Sequence, residues 1–310
     1  MKNKKPKVKL SAMARKEEKW AIIFVSLPIL GFLLFMLYPI LFAILTSLTS
    51  WNGAKGFQGM MSRFCGFKNY VKLFNDSKFW QTLSTTVIYF IGIPIGMILG
   101  LFLAMGMNRK IPCVRALRTM YYLPVISSLV SVAILWAWVF NYDYGLLNVI
   151  IKTLTGRHGP NWLGDRVLIK AAMIIFMVWK GLGTSIILYL AGLQNIPRSY
   201  YEAAMVDGAN GWQKLKNITI PLLSPVTFYI LITTLIGGFQ VFVEVQVMTP
   251  NGNGGIGYSA ATIVFYLYQK AFESYQLGYS SAIAVILAII IFIITFINFK
   301  FQDKWVKTMD

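Results

Sequence analysis

Residues 279–299 read YSSAIAVILAIIIFIITFINF, 21 positions without a charged side chain, closed at once by Lys300. At 1.5 Å per residue a helix of that length covers about 30 Å, the thickness of a bilayer's hydrocarbon core. The apolar residues form a block, not the stripe that a soluble helix turns toward its core. In lipid every backbone polar group must be paired internally, so such a block spans as a helix. The rest of the chain agrees. Of its 310 residues 57% are hydrophobic and 13% charged, against about 25% charged in soluble domains. An ordinary cytosolic enzyme would lack the charges to cover its surface. Cys65 and Cys113 stand far apart without metal-ligand spacing, and His158 is the single histidine. A disulfide-built module and a His-rich metal cage are thereby excluded. A net charge of +18 in so apolar a chain suits the negative inner face of a membrane better than nucleic acid.

Five more blocks qualify, so the expected fold is an all-α integral membrane protein with six transmembrane helices, at 20–48, 83–107, 120–140, 171–192, 222–248 and 279–299. The first is too long for the apolar region of a signal peptide and precedes no small-residue cleavage site, so it reads as a retained anchor. Segments 1–19, 108–119, 193–221 and 300–310 hold 18 lysines and arginines in 71 residues. The alternate loops 49–82, 141–170 and 249–278 hold 10 in 94. This bias places both termini in the cytoplasm. The lysine-rich segment 1–19 is expected to be mobile or at the lipid surface, and 300–310 to be a short cytoplasmic tail. In the outer loop 49–82, residues 70–82 place Val71, Phe74, Phe79 and Trp80 among polar residues, the pattern of a segment lying along the interface.

The inner loop 193–221 carries most of the information. Residues 192–212 read GLQNIPRSYYEAAMVDGANGW, and Ile218-Thr-Ile-Pro221 follows. Ser199 with Glu202 three positions on predicts a capping box that starts a short helix after Pro197. Gly208 can take the left-handed conformation that ends it. A second short helix is expected from about Trp212 until Pro221 stops it. The product is a cytoplasmic helix–turn–helix in which Ala203 and Ala204 leave room for a partner.

This loop resembles the EAA loop of bacterial ABC importer permeases: Glu202-Ala203-Ala204, three residues, Gly208, nine residues, then Ile218-x-Ile220-Pro221, with isoleucine in place of the usual leucine. Gln194-x-Ile196-Pro197 ahead of it and Asp207-Gly208-Ala209 within it look like the carbohydrate branch, which includes maltose, lactose and glycerol-phosphate permeases. Gly66-Phe-x-Asn69-Tyr70, Leu123-Pro124, Thr249, Tyr268-Gln-x-Ala271-Phe272 and Gly278-Tyr279-x-Ser281-Ala282 extend the likeness over nearly the whole chain. The resemblance implies the permease subunit of an ATP-driven sugar or oligosaccharide importer in the bacterial cell membrane, not itself an enzyme. It also implies a second permease subunit, a cytoplasmic ATPase dimer that binds the ATP, and an extracellular solute-binding protein. The ATPase-docking residues it implies are Glu202, Ala203, Ala204, Asp207 and Gly208, with Glu202 in an ion pair. Glu202 capping its own helix is the plain alternative.

By position in that family, the substrate path falls on Met177, Lys180, Gly181 and Thr184 and on Thr234, Gly237 and Gly238, of which only Gly181 keeps the expected type. Independently of the resemblance, Lys180 lies mid-span, where a charge is expensive and marks a functional candidate. It suits an acidic or heavily hydroxylated ligand, or it pairs with Glu244, and the sequence leaves both readings open. Gly252-x-Gly254-x-x-Gly257 matches a dinucleotide fingerprint as a pattern but lies between two spans, not in a βαβ unit, so it reads as a flexible outer turn. No phosphate-binding loop of the Gly-x-x-x-x-Gly-Lys-Ser/Thr kind occurs, so no cofactor is expected on this chain. The alternatives are the same family with glycerol phosphate, an acidic sugar or another polar solute as cargo, or a membrane enzyme acting on lipid-linked sugars. The enzyme would want at least two intramembrane carboxylates, and Glu244 alone supports it poorly. A stand-alone secondary transporter would want an inverted repeat, and none is evident.

Overall fold

Long apolar blocks without a breaker give unbroken helices, and two of the blocks here do not meet that condition. The computed structural model describes residues 12–54, 56–109, 112 and 114–306. The expectations for residues 1–11, for Cys113 and for the last four residues of the tail lie outside the described residues. Helix α1 (Ala12–Phe32) passes through a π-turn at Leu33–Leu37 into α2 (Tyr38–Ser47). Pro39 has no N–H to offer the carbonyl of Phe35, and at this point the ladder widens, Tyr38 N–H reaching back to Leu33. Short helices α3 (Gly56–Met61) and α4 (Lys68–Phe74) precede α5 (Ser77–Tyr89) and α6 (Gly92–Met107), which form one span. The amphipathic stretch expected at 70–82 is therefore split. Val71 and Phe74 stay exposed on α4, whereas Phe79 is buried in the first turns of the span.

The block expected as a straight span at 120–140 is two helices, α7 (Val114–Ile126) and α8 (Leu129–Val139), bent by 105°. Ser128 takes ψ 128°, outside helical space, and the Ser127 hydroxyl donates to the Leu123 carbonyl at 2.7 Å. A serine side chain can thus satisfy the backbone where the ladder breaks. After α9 (Leu146–Thr155) comes α10 (Leu168–Asn195), the longest uninterrupted span of the middle region. Then follow α11 (Arg198–Val206), α12 (Gly211–Lys214), a π-turn at Leu215–Thr219 and α13 (Ile220–Leu222). A 62° bend leads into α14 (Ser224–Phe239). Just ahead of Pro221, which has no N–H to offer, the ladder widens, Ile220 N–H reaching back to Leu215, and the helix that began at Gly211 ends at Leu222, one residue past the expected stop. The span expected at 222–248 ends at Phe239. Past Gly237 and Gly238, both poor helix formers, the Val241 carbonyl turns to accept from the Thr262 hydroxyl at 2.5 Å. Glu244 consequently belongs to a separate short helix, α15 (Val243–Met248). The chain closes with α16 (Ile263–Tyr268) and α17 (Leu277–Trp305). Among the described residues, four helices are long and apolar enough to cross a membrane, and two bent pairs bring the spans to six when each pair counts once.

Helix α10 is the axis of the packing. Between membrane helices burial from water drives little, and close backbone approach does the holding. Gly100 of α6 meets Ser185 of α10 so closely that a Cβ there would lie 2.8 Å from the serine Cβ, and Gly192 meets Leu223 and Val226 in the same way. Phe176, Met173, Ile186 and Tyr189 of α10 are buried.

At the end opposite the 193–221 loop, Gly254 and Gly255 of the glycine-rich turn are buried while Asn253, Ile256 and Gly257 stay exposed, and the segment that follows is packed into the bundle. Ala260, Ala261, Thr262 and Ile263 are all fully buried. Tyr89 donates to the Ala260 carbonyl at 2.9 Å and the Ile263 N–H to Thr86 at 3.1 Å. Gly254 holds φ +78°, and a Cβ there would press within 2.9 Å of the Phe265 ring. Beside it Asp76 caps α5 through the Lys78 amide at 3.0 Å and accepts from the hydroxyls of Tyr266 and Tyr279 at 2.5 and 2.6 Å.

Candidate functional site: a half-open cavity and an exposed helical lever

Near the middle of α10, the helices α6, α10 and α14 diverge around a cavity of about 320 Å³. Met177, Lys180, Gly181 and Thr184 reach it from α10, and Thr234, Gly237 and Gly238 from α14. All seven positions assigned to the substrate path therefore border one space. Lys180 lies twelve residues into α10, about 18 Å along the helix. Gly181, Thr184, Thr234 and Gly237 are exposed, so this chain walls the cavity on one side only. Glu244 borders it too, from α15. No ion pair within 4 Å joins Lys180 and Glu244 among the described residues.

The sequence reading drew the pocket from two helices and missed its third wall. Tyr89, Phe90, Ile93, Gly96 and Met97 supply it. The recurrence of glycine at 92, 96 and 100 was the available signal, because small residues every fourth position mark a face where something comes close.

The loop 193–221 is rooted in the bundle core through the buried Leu193, Ile196 and Thr219 and presents the outer face of α11 beyond it. Helix α11 starts at Arg198 with no side-chain cap, and Glu202 is exposed, so the capping box expected from Ser199 and Glu202 does not form. The box sits one helix later. Asn210 accepts from the Gln213 N–H at 2.9 Å, and Gln213 accepts from the Asn210 N–H at 2.7 Å. The expected end of α11 does form. Gly208 has φ +75°, Ala209 N–H reaches Ala204 at 2.8 Å and Gly208 N–H reaches Met205 at 3.1 Å, the paired bonds of a Schellman turn. Ala203 and Asp207 are exposed with Glu202, and Ala204 is half-buried. Met205, Val206 and Trp212 present apolar surface beside them. The Tyr201 hydroxyl lies 3.0 Å from that of Thr219, tying α11 to the π-turn behind it. A capped, braced pair of helices with an exposed acidic and apolar face can carry a push without folding up.

Residues 92–308 match the model of the family described as "Binding-protein-dependent transport system inner membrane component". The chain belongs to that family. It is a permease, the inner-membrane component of a transport system that depends on a binding protein, and not an enzyme. The permease is 34% identical to the probable ABC transporter permease protein YesP of Bacillus subtilis, over 96% of this chain and 95% of that one. It is 37% identical to the lactose transport system permease protein LacF of Rhizobium radiobacter, over 89% and 92%. Among solved structures it resembles a chain of a bacterial alginate ABC transporter, caught in complex with a periplasmic protein carrying an alginate pentasaccharide. The TM-score is 0.79 and the identity 22%, over 95% of this permease and 98% of that chain. That likeness concerns the fold.

Proposed function

We propose that this permease forms one half of the pathway of an ATP-driven importer for a sugar or oligosaccharide, a second permease subunit forming the other half. The carrying observation is the half-open cavity, whose largely apolar and aromatic lining is interrupted by glycines, by Thr184, Ser185 and Thr234, and by Lys180 and Glu244. Small and hydroxylated residues leave room for a hydroxyl-rich solute and offer it hydrogen bonds. Relatives named for lactose and for arabinooligosaccharides support the sugar class. Both termini and the loop 193–221 face the cytoplasm, where Glu202, Ala203, Ala204, Asp207 and Gly208 dock on a pair of ATPase subunits that hold the ATP. Closure of that pair rocks the two halves through the α11–α12 lever, and a solute-binding protein delivers the cargo on the other side. Lys180 favours a second version of the cargo, an acidic sugar.

The test is ATP hydrolysis and uptake by the reconstituted complex. Glu202→Ala removes a charge-assisted contact of about 1.5–3 kcal/mol. It is expected to leave insertion and assembly intact and to lower the hydrolysis stimulated by loaded binding protein about tenfold or more. Unchanged coupling in a normally assembled variant would defeat the docking role.

A further inference from the structure

A second groove lies outside the translocation cavity. Where α7 meets α10, a Cβ on Gly183 would lie 2.2 Å from the Tyr121 carbonyl oxygen and 2.6 Å from Val125 Cγ2, so the helices touch at this level. From there toward the 193–221 end, a groove of about 300 Å³ runs between them. Ile186 and Leu190 form a buried apolar floor, and Ile187 lines one exposed wall. Arg118, Tyr121 and Tyr122 edge it from α7. Among the described residues, the Arg118 guanidinium and both tyrosine hydroxyls have no hydrogen-bond or ion-pair partner. The surrounding stretch 108–119 holds four basic residues and no acidic one. One unmatched guanidinium and two phenol hydroxyls thus edge an apolar slot.

We propose that this groove holds an anionic phospholipid of the cytoplasmic leaflet, its phosphate on Arg118 and one acyl chain along Ile186, Ile187 and Leu190. A guanidinium presents paired N–H donors that match a phosphate. Basic pockets between helices at this depth suit anionic headgroups, which the cytoplasmic leaflet supplies. The choice of leaflet rests on the orientation proposed above. Because Val125 of the same helix lines the translocation cavity, a lipid seated here braces one wall of that cavity.

The test uses the assembled transporter in detergent, offered equal amounts of phosphatidylglycerol and phosphatidylcholine, with retained lipid read by native mass spectrometry. The wild type is expected to favour phosphatidylglycerol about tenfold or more, the weight of one charge-assisted hydrogen bond. Arg118→Gln should abolish the preference and Arg118→Lys keep most of it. Ile187→Trp, which fills the slot, should shed both lipids, and Arg63→Gln at the far end should change nothing. Equal retention of the two lipids by the wild type overturns the proposal, as does a preference that survives both Arg118→Gln and Ile187→Trp. No retained lipid also overturns it, the result expected if the second permease subunit covers the groove. If Arg118→Gln fails to assemble, Arg118→Lys and Ile187→Trp decide. Uptake is measured alongside, so a complex that transports without lipid preference rejects the groove and leaves the transport reading standing.

Discussion

Lys180 and Glu244 border one cavity at membrane depth without a direct ion pair, and each is costly there unless something compensates it. Two compensations are available, a ligand or each other across the space, and a double-mutant cycle separates them. Lys180→Met keeps the stem's volume and removes the charge, so insertion, assembly and basal hydrolysis should persist while uptake falls. If uptake stays low with Glu244→Gln added, Lys180 serves the ligand; recovery in the double variant assigns it to Glu244. Normal uptake by the single variant would sink both roles. Asp76, outside the spans, offers a second residue-scale test. Burial pushes its carboxyl up, but hydrogen bonds from Tyr266, Tyr279 and the Lys78 amide, with the Lys270 charge, outweigh this and hold it below the usual 3.8. A carboxyl lowered by folding stabilises the fold, fully above its unfolded value and no longer once the pH falls through the lowered one. Asp76→Asn should therefore cost about 1 kcal/mol at neutral pH, the difference between a charged and a neutral acceptor. The gap in thermal stability should close on acidification below about pH 4. A gap that stays constant with pH would remove the charge from the explanation.

At the scale of elements, the turn at Gly208 decides how α11 and α12 are set. Its φ of +75° suits glycine, is tolerated by asparagine and is strained for a β-branched residue. Gly208→Val is expected to impair assembly with the ATPase, with a cost of roughly 1–2 kcal/mol, and Gly208→Asn much less. Co-purification yields measure both, and equal yields would mean that the turn does not set the lever. This turn was legible in the sequence because glycine has few reasons to follow a helix other than ending it. The start of the same helix was not. Ser199 and Glu202 have the spacing of a capping box, but Pro197 already fixes the entry and the box forms at Asn210 and Gln213. The breaks at Ser127–Ser128 and after Phe239 were equally hidden, because hydropathy does not change across them and tertiary hydrogen bonds, such as Thr262 to Val241, decide them. The seven cavity positions follow from a count along two helices that starts at the matched Glu202 and Thr249. The wall from Tyr89 to Met97 needed the three-dimensional packing of α6 against α10.

At the scale of the whole molecule, orientation rests on charge counts, and the two native cysteines can test it. Cys65 precedes and Cys113 follows the span Ser77–Met107, so they belong on opposite faces of the membrane. The positive-inside bias puts Cys65 outside and Cys113 in the cytoplasm. A variant keeping only Cys65 should react with a membrane-impermeant maleimide on intact cells. A variant keeping only Cys113 should react after the membrane is opened and not before. Cys65 is half-buried and could label slowly, so Ser274→Cys, an exposed position in the 249–278 loop, provides a second external reporter in a cysteine-free background. Ser274 and Cys65 are separated by an even number of spans if the bent pairs, α7 with α8 and α12–α13 with α14, both cross, and by an odd number if one of them is re-entrant. Labelling of both from the same side therefore excludes a single re-entrant pair and tests the orientation. If Ser274→Cys labels from the side opposite Cys65, one bent pair is re-entrant. If both label only in opened cells, the loop 193–221 lies outside and cannot meet an ATPase.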